Sequence, residues 1–206
     1  MSKPEKLRLD PDRIDVRLLI RQAQAGDKKA FEELVIIYQD KVYTLSYYLT
    51  GNHSDAQDLA QEVFLKAYSS LRSFRLEADL GTWLHRITVN TWSNMRRGRN
   101  QVLSLDDPLQ TEDGEMERPL ADGDPTSDPA VALEEKEVQV MVQHAIRSLP
   151  EEYRAVLVLR EMEGYTYEEI AGIMGCSLGT VKSRLNRARR ALKEKILRPV
   201  DHCQRG

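Results

Sequence analysis

Apolar positions recur at helical spacing almost throughout this chain, and no convincing run alternates apolar with polar residues. Val16, Leu19, Ile20 and Ala23 form a first stripe that stops at Gly26. Asp27 is placed to cap a second helix, whose Ala30, Phe31, Leu34, Val35, Tyr38 and Val42 face inward. Gly51-Asn52 breaks the chain. Ser54 with Gln57 reads as a capping box before a third helix to about Leu71, with Ala56, Leu59, Ala60, Val63 and Ala67 inward. A fourth helix is predicted from about Leu80 to Arg97, bearing Trp83, Leu84, Ile87 and Trp92. The pattern then lapses and resumes near Val131, continuing through Val138, Met141, Val142, Ala145 and Ile146. Pro150 falls in the first turn of the next helix, where Glu151 and Glu152 suit the positive end of its dipole.

Beyond Gly164 the pattern becomes two short helices joined by Gly175-Cys176-Ser177. Thr166 and Glu169 make a capping box for the first of them, which turns Ile170, Ala171 and Met174 inward. Gly175 permits the left-handed residue that ends it, and Ser177 can cap the next helix. There Val181, Leu185, Ala188 and Leu192 fix a buried stripe, which leaves Lys182, Ser183, Asn186, Arg187 and Arg190 outside. A donor-rich strip of that kind suits phosphates and the acceptor edges of purines in a major groove. The arrangement is a helix-turn-helix and names duplex DNA as a partner.

The formal net charge of −3 hides this signal, because charge is segregated along the 206 residues. Between Ser104 and Glu135 there are eleven acids and one cation, Arg118; between Val181 and Arg198 Glu194 is the only acid among eight cations. The acidic stretch also holds Pro108, Pro119, Pro125 and Pro129, so it reads as a flexible linker. The expected fold is therefore all-α. Two small helical domains, 13–99 and 131–198, flank an acidic linker at 100–130, with an N-terminal extension at 1–12 and a tail at 199–206. No signal peptide or membrane-length apolar run is evident, which points to a soluble, cytoplasmic chain. Cys176 and Cys203 make no disulfide framework, and His202-Cys203 reads as tail rather than as a metal or redox site.

Asp55, Asp58 and Glu62 share one face of the third helix, and Ala56, Leu59 and Val63 another. Stacked acids repel, so a basic partner explains them better than chance. A solvated acidic face is the plainer reading, and a metal-dependent nuclease is a third. Against the third, no His accompanies the acids on this helix, and no Gly-rich phosphate loop occurs in the chain. In the fourth helix, Asn90 and Asn94 fall on one face, and Arg86, Arg96, Arg97 and Arg99 can track a phosphate backbone. Aromatics among such residues suit captured, unstacked bases. Trp83 reads as core, whereas Trp92 fits core and stacking platform equally.

Three runs, DAQDLAQEVFLKAY, FR…TWLHRITVNTWSN and SLPEEYRAVLVLREMEGYTYEEIAGIMGCSLGTVKSRLNRARRAL, resemble the extracytoplasmic-function (group 4) sigma factors of bacterial RNA polymerase. The resemblance covers about Asp15 to Arg99 and Glu134 to Leu197, in the family's order of domain 2, linker and domain 4. It implies a promoter-specific initiation factor with no catalytic residues, cofactor or metal. Asp55, Asp58, Gln61 and Glu62 would grip the clamp helices of the polymerase β′ subunit, and domain 4 would meet the β flap. Phe74, Arg75, Trp83, Arg86, Asn90, Asn94 and Arg97 would face the melting −10 element. Thr180, Lys182, Ser183, Arg184, Arg187 and Arg190 would face the −35 duplex. The linker would run through the polymerase's active-site and RNA-exit region, and an anti-sigma factor would hold the protein inactive. One departure is Leu80-Gly81 before Thr82-Trp83, where many members carry a bulky residue. The alternative function is a helix-turn-helix regulator of duplex DNA that is not a polymerase subunit.

Overall fold

The computed structural model describes residues 15–76, 78–103, 138 and 140–197, with the helix backbone alone at 98–103. The N-terminal extension, the linker from 104 to 130 with its acids, Arg198 and the tail with Cys203 lie outside the described residues. Among the described residues there is no strand; the elements are eight helices and one short 3₁₀ turn. They are α1 (Val16–Gln24), α2 (Lys28–Thr50), α3 (His53–Ser70), the 3₁₀ turn Leu71–Ser73, α4 (Leu80–Leu103), α5 (140–147), α6 (Glu151–Glu161), α7 (Tyr167–Met174) and α8 (Leu178–Leu197).

Helix α2 is the hub of the first module and packs against α1, α3 and α4. Its inward stripe, Leu34, Tyr38, Val42, Leu45 and Leu49, meets Leu59 and Val63 of α3 and Leu84 and Val89 of α4 in one buried cluster. The end of α2 is fixed by Gly51, whose φ of +84° places it in the left-handed region while its N–H donates to Tyr47 O. The next helix starts two residues earlier than the Ser54–Gln57 pairing predicted. Asn52, already extended, accepts from Asp55 N at 2.7 Å and caps α3 first. Helix α4 likewise outruns its expected end at Arg97 and continues to Leu103.

Gly81 has a packing reason. A Cβ there would meet Asp79 Oδ2 at 2.8 Å and the Tyr38 ring at 3.3 Å. Asp79 is itself engaged, accepting from Thr82 N at 3.1 Å at the start of α4. A bulky residue at 81 would push the head of α4 away from α2.

In the second module α8 packs across α6 and α7. Thr166 and Glu169 form the predicted capping box, Gly175 adopts a φ of +61°, and Ser177 Oγ accepts from Thr180 N at 3.1 Å. The buried residues of α7 are Ile170 and Ile173. Met174, predicted inward, is only partly buried, because an eight-residue helix turns one narrow stripe to its neighbours. Pro150 stands at the N-cap of α6 rather than inside its first turn.

The modules are not separate in space. Helix α7 packs against α4 and α6 against α2, so both cores join one buried cluster.

Candidate nucleic-acid interface

Two helix faces carry the residues expected to meet DNA. On α4 one side is filled by Leu84, His85, Thr88, Val89, Thr91 and Trp92, all buried. That burial turns Arg86, Asn90, Asn94 and Arg97 outward, where all four are exposed along one edge of the helix. Arg97 reaches back to Ser93 Oγ at 3.2 Å, which braces its stem without covering its face.

Trp92 is core, at 3% exposure, with the Arg154 guanidinium 5.5 Å from its ring centre. Phe74 is 7% exposed and lies 5.0 Å from the partly buried Trp83 ring. Those two rings pack on each other, and Trp83 also lines a small apolar gap with Phe31, Phe64 and Leu71, so this arrangement offers neither as a free stacking platform. Arg75, next to Phe74, is exposed.

On α8 the burial of Val181, Leu185 and Ala188 sets the opposite face free. Lys182, Ser183, Asn186, Arg187 and Arg190 are exposed there, with Ser183 Oγ donating to Thr180 O at 3.0 Å. Two residues placed on this face by sequence have other work. Thr180 is half-buried, and its hydroxyl lies 2.9 Å from Ser177 Oγ at the helix start. Arg184 turns back to Glu152 of α6, 2.6 Å away. Arg189, on the same helix, makes two hydrogen bonds to Glu161, at 3.0 and 2.6 Å, which hold its guanidinium above its ordinary pKa.

The acidic face of α3 is partly local. Asp55 accepts from Asn52 Nδ2 at 3.0 Å as part of the helix start, and Glu62 pairs with Lys66 at 3.2 Å. Asp58 and Gln61 are exposed. The same face continues into Leu65, 61% exposed, and Tyr68. Sequence reading left out both, although their i+7 and i+10 spacing from Asp58 marks the same stripe.

Three polar groups with no signal in the sequence pattern lie at the junction of the modules. Arg154 is 2% exposed and donates to Leu49 O at 2.6 Å, to Leu149 O at 3.2 Å and to Arg147 O. Burial lowers its pKa to about 10. His85 Nδ1 lies 2.9 Å from the Tyr165 hydroxyl, and Glu163 is 3.8 Å away. Burial, with Lys41 adding to it, lowers the His85 pKa to about 4, so the ring is neutral at neutral pH. No group of three or more His, Cys, Asp or Glu among the described residues is placed to hold a metal ion. No described helix is long and apolar enough to cross a membrane.

A helical bundle with an open amide-and-arginine edge, joined to a helix-turn-helix with an open cationic strip, defines a two-module DNA-binding protein. Family models for Sigma-70 region 2 and Sigma-70 region 4 match residues 34–102 and 139–192. The RNA polymerase sigma-H factor of Pseudomonas aeruginosa is 41% identical over 187 residues, 88% of this chain and 93% of that protein. The ECF RNA polymerase sigma-E factor of Escherichia coli is 42% identical over 183 residues, 87% and 93% of the two chains. The chain belongs to the sigma-70 family of RNA polymerase sigma factors, in its extracytoplasmic-function branch. A solved sigma factor RpoE from Bartonella quintana, in complex with the anti-sigma factor NepR, superposes with a TM-score of 0.65 at 26% identity, over 82% of this chain and 97% of that one. CnrH, solved with the cytosolic domain of CnrY, has the same fold with a TM-score of 0.57.

Proposed function

We propose that this chain brings bacterial core polymerase to its promoters by dividing three contacts among three helix faces. The strip on α8, Lys182, Ser183, Arg187 and Arg190, reads the −35 duplex in the major groove. The edge of α4, Arg86, Asn90, Asn94 and Arg97, with Arg75 beside it, captures the −10 strand as it melts. Unstacking costs a few kcal/mol per base, about what amide and cation contacts to exposed bases and phosphates return. The face of α3, Asp58, Gln61 and Glu62, docks on the clamp helices of the β′ subunit, and the acids find there the basic partner that their mutual repulsion calls for.

A groove of about 450 Å³ between α6 and α8, floored by Leu157, Leu192, Ile196 and Leu197, suits the apolar tip of the β flap. Phe74 and Trp83 shape the loop at the head of α4 from inside rather than stacking on bases. The chain performs no chemistry, since the polymerase forms every phosphodiester bond. It works in the cytoplasm, where the polymerase is, under an anti-sigma factor. The anti-sigma factor bound to the Bartonella quintana structure supports that last point.

One observation carries the reading. Two open DNA-facing edges of different chemistry, amide-rich on α4 and cation-rich on α8, occur in a chain that also presents an acidic face on α3. A regulator acting on duplex DNA alone has no use for the α3 face or the amide edge. The test is run-off transcription by active core polymerase across a library of promoter fragments, with and without the chain. Promoter-dependent transcripts are expected only when the chain is present. Tight operator binding without any such transcript overturns the reading in favour of a duplex-binding regulator.

A further inference from the structure

The contact between the modules is polar where it matters. Arg154 of α6 donates across it to Leu49 O, the end of α2, and stacks its guanidinium over Trp92 of α4. Gln143 Nε2 of α5 donates to Tyr47 O at 3.3 Å. Tyr165, just before α7, meets His85 of α4, and Arg96 of α4 pairs with Glu151 of α6 at 3.0 Å. Beside Glu151, Glu152 holds Arg184 of α8. The first turn of α6 thus presents two adjacent carboxylates, each engaged with an arginine from a different DNA-facing helix.

Geometry makes this arrangement incompatible with a bipartite promoter. Helix α8 packs on α7, and α7 packs on α4. With 8–10 Å between packed helix axes, α8 lies only about 20 Å from α4. Elements centred near −35 and −10 are about 25 base pairs apart, which is about 85 Å of duplex at one turn per 34–36 Å. The strips on α8 and α4 are both open to solvent, yet one promoter cannot reach both. The gain in affinity from linking two binding modules disappears when geometry forbids simultaneous engagement.

We propose that Glu151 and Glu152 are an intramolecular stand-in for DNA phosphate, in which Glu151 ties α6 to α4 of the other module through Arg96 while Glu152 holds Arg184 within its own module. They occupy Arg96 and Arg184, one cation from each reading helix, and DNA competes for the same two side chains. The closed and promoter-bound states then exclude each other, and whatever takes Arg96 from Glu151 loosens the junction between the modules. A ligand shifts such an equilibrium only by its differential affinity for the two states, and this pair of cations supplies it. The polar character of the junction fits the role. Hydrogen bonds and ion pairs can be exchanged for water and phosphate when the modules part, whereas a purely apolar seam could not. That closure is an off state rests on the bipartite promoter reading; the closure itself does not.

The experiment measures distance on the full chain without polymerase, so its failure is separable from failure of the sigma reading. Spin labels are placed at Ser54→Cys on α3 and Glu194→Cys on α8, in a Cys176→Ser, Cys203→Ser background, with helicity checked by circular dichroism. The otherwise unsubstituted chain is expected to give one narrow distance distribution. Glu151→Arg with Glu152→Arg, which sets like charges against Arg96 and Arg184, is expected to broaden it and shift it outward by 10 Å or more, to order of magnitude one packed helix layer. Adding Arg96→Glu and Arg184→Glu to that variant restores opposite charges and is expected to restore the narrow peak. Calf-thymus duplex DNA at low salt is expected to broaden the distribution of the unsubstituted chain, and salt to reverse this. A broad distribution without DNA overturns the proposal. So does an unchanged distribution after the Glu-to-Arg exchange, failure of the fourfold swap to restore the peak, or no response to DNA.

Discussion

Replacing Arg154 by Met should destabilise the chain by about 3 kcal/mol. The guanidinium sits at the carboxyl ends of two helices at once, α2 through Leu49 O and α5 through Arg147 O, and also holds Leu149 O in the turn between α5 and α6. The last four carbonyls of any helix lack intrahelical partners, and their partial negative charge favours a cation. Each buried carbonyl left unpaired costs about 1–3 kcal/mol, and three are at stake. Relief from desolvating the guanidinium, visible in its pKa of about 10, returns part of that. Met nearly matches the length of the aliphatic stem, so little of the loss should come from packing. Urea unfolding followed by tryptophan fluorescence is the assay, because Trp92 lies under the guanidinium and reports the site directly. With a slope of about 2 kcal/mol/M, the midpoint should fall by about 1.5 M. Arg154→Lys keeps the charge but not the planar fork, so it should recover less than half of the loss. An unchanged midpoint for Arg154→Met, with native helicity, would refute the assignment of these carbonyls to Arg154; wild-type stability for Arg154→Lys would refute the role of the fork.

Other outcomes follow from the same geometry. His85 has its folded pKa lowered to about 4 by burial, so between pH 6.5 and 4 the unfolded chain binds the extra proton; stability is complete above pH 6.5 and declines by about 3 kcal/mol as pH falls to 4. Denaturation at a series of pH values should show that limb in the wild type and a flatter one in His85→Asn, with Tyr165, Glu163, Lys41 and Asp79 as the groups facing the ring. Asp58→Lys with Glu62→Lys should weaken binding to core polymerase tenfold or more, about 1.4 kcal/mol, with helicity unchanged; binding that stays the same places the clamp contact elsewhere. Arg187→Ala should cost about 1–3 kcal/mol of −35 binding if it reads a base, or lower the salt slope by about 1 if it meets a phosphate, and a salt titration tells which. Thr166→Ala should cost about 1 kcal/mol by removing the hydroxyl that accepts from Glu169 N, measurable as a thermal shift.

What could be read from sequence was what local chemistry decides. The helix-turn-helix was legible because each of its signals, Thr166 with Glu169, Gly175, Ser177 and the stripe from Val181 to Ala188, acts within one or two turns. The start of α3 departs from the Ser54–Gln57 pairing because the chain leaves the left-handed Gly51 with Asn52 extended and its side chain already accepting from Asp55 N. Trp92 fitted two roles because periodicity shows which face of a helix a residue is on and leaves open what covers that face. Arg154, His85 and Tyr165 gave no signal at all. Their partners are 105 residues distant in one case and 80 in the other, and all three acceptors of Arg154 are main-chain atoms with no letter in the sequence to mark them. Legibility also failed for Arg184 and Arg189, which share the helix and the charge of Arg187 and differ only in the acid that lies opposite.

That last difference bears on how the cations of α8 should be counted. A cation already paired with a carboxylate contributes to DNA binding only the difference between phosphate and carboxylate, and pairs this exposed are worth about 0–1 kcal/mol each. On the proposed reading, Arg187, Lys182 and Arg190 would bring their full counterion release to the duplex, whereas Arg184 and Arg189 would first give up Glu152 and Glu161. Charge along the sequence therefore overstates the affinity of α8 for DNA and understates its selectivity. The unpaired cations set a modest baseline, and the paired ones respond only where a phosphate is placed well enough to displace a carboxylate. A bipartite reader benefits from that division, because a strongly cationic α8 would hold any duplex and gain little from its second module. On that proposal, a weaker α8 would depend on α4 finding its own element at the right spacing, which would make spacing itself part of what is read.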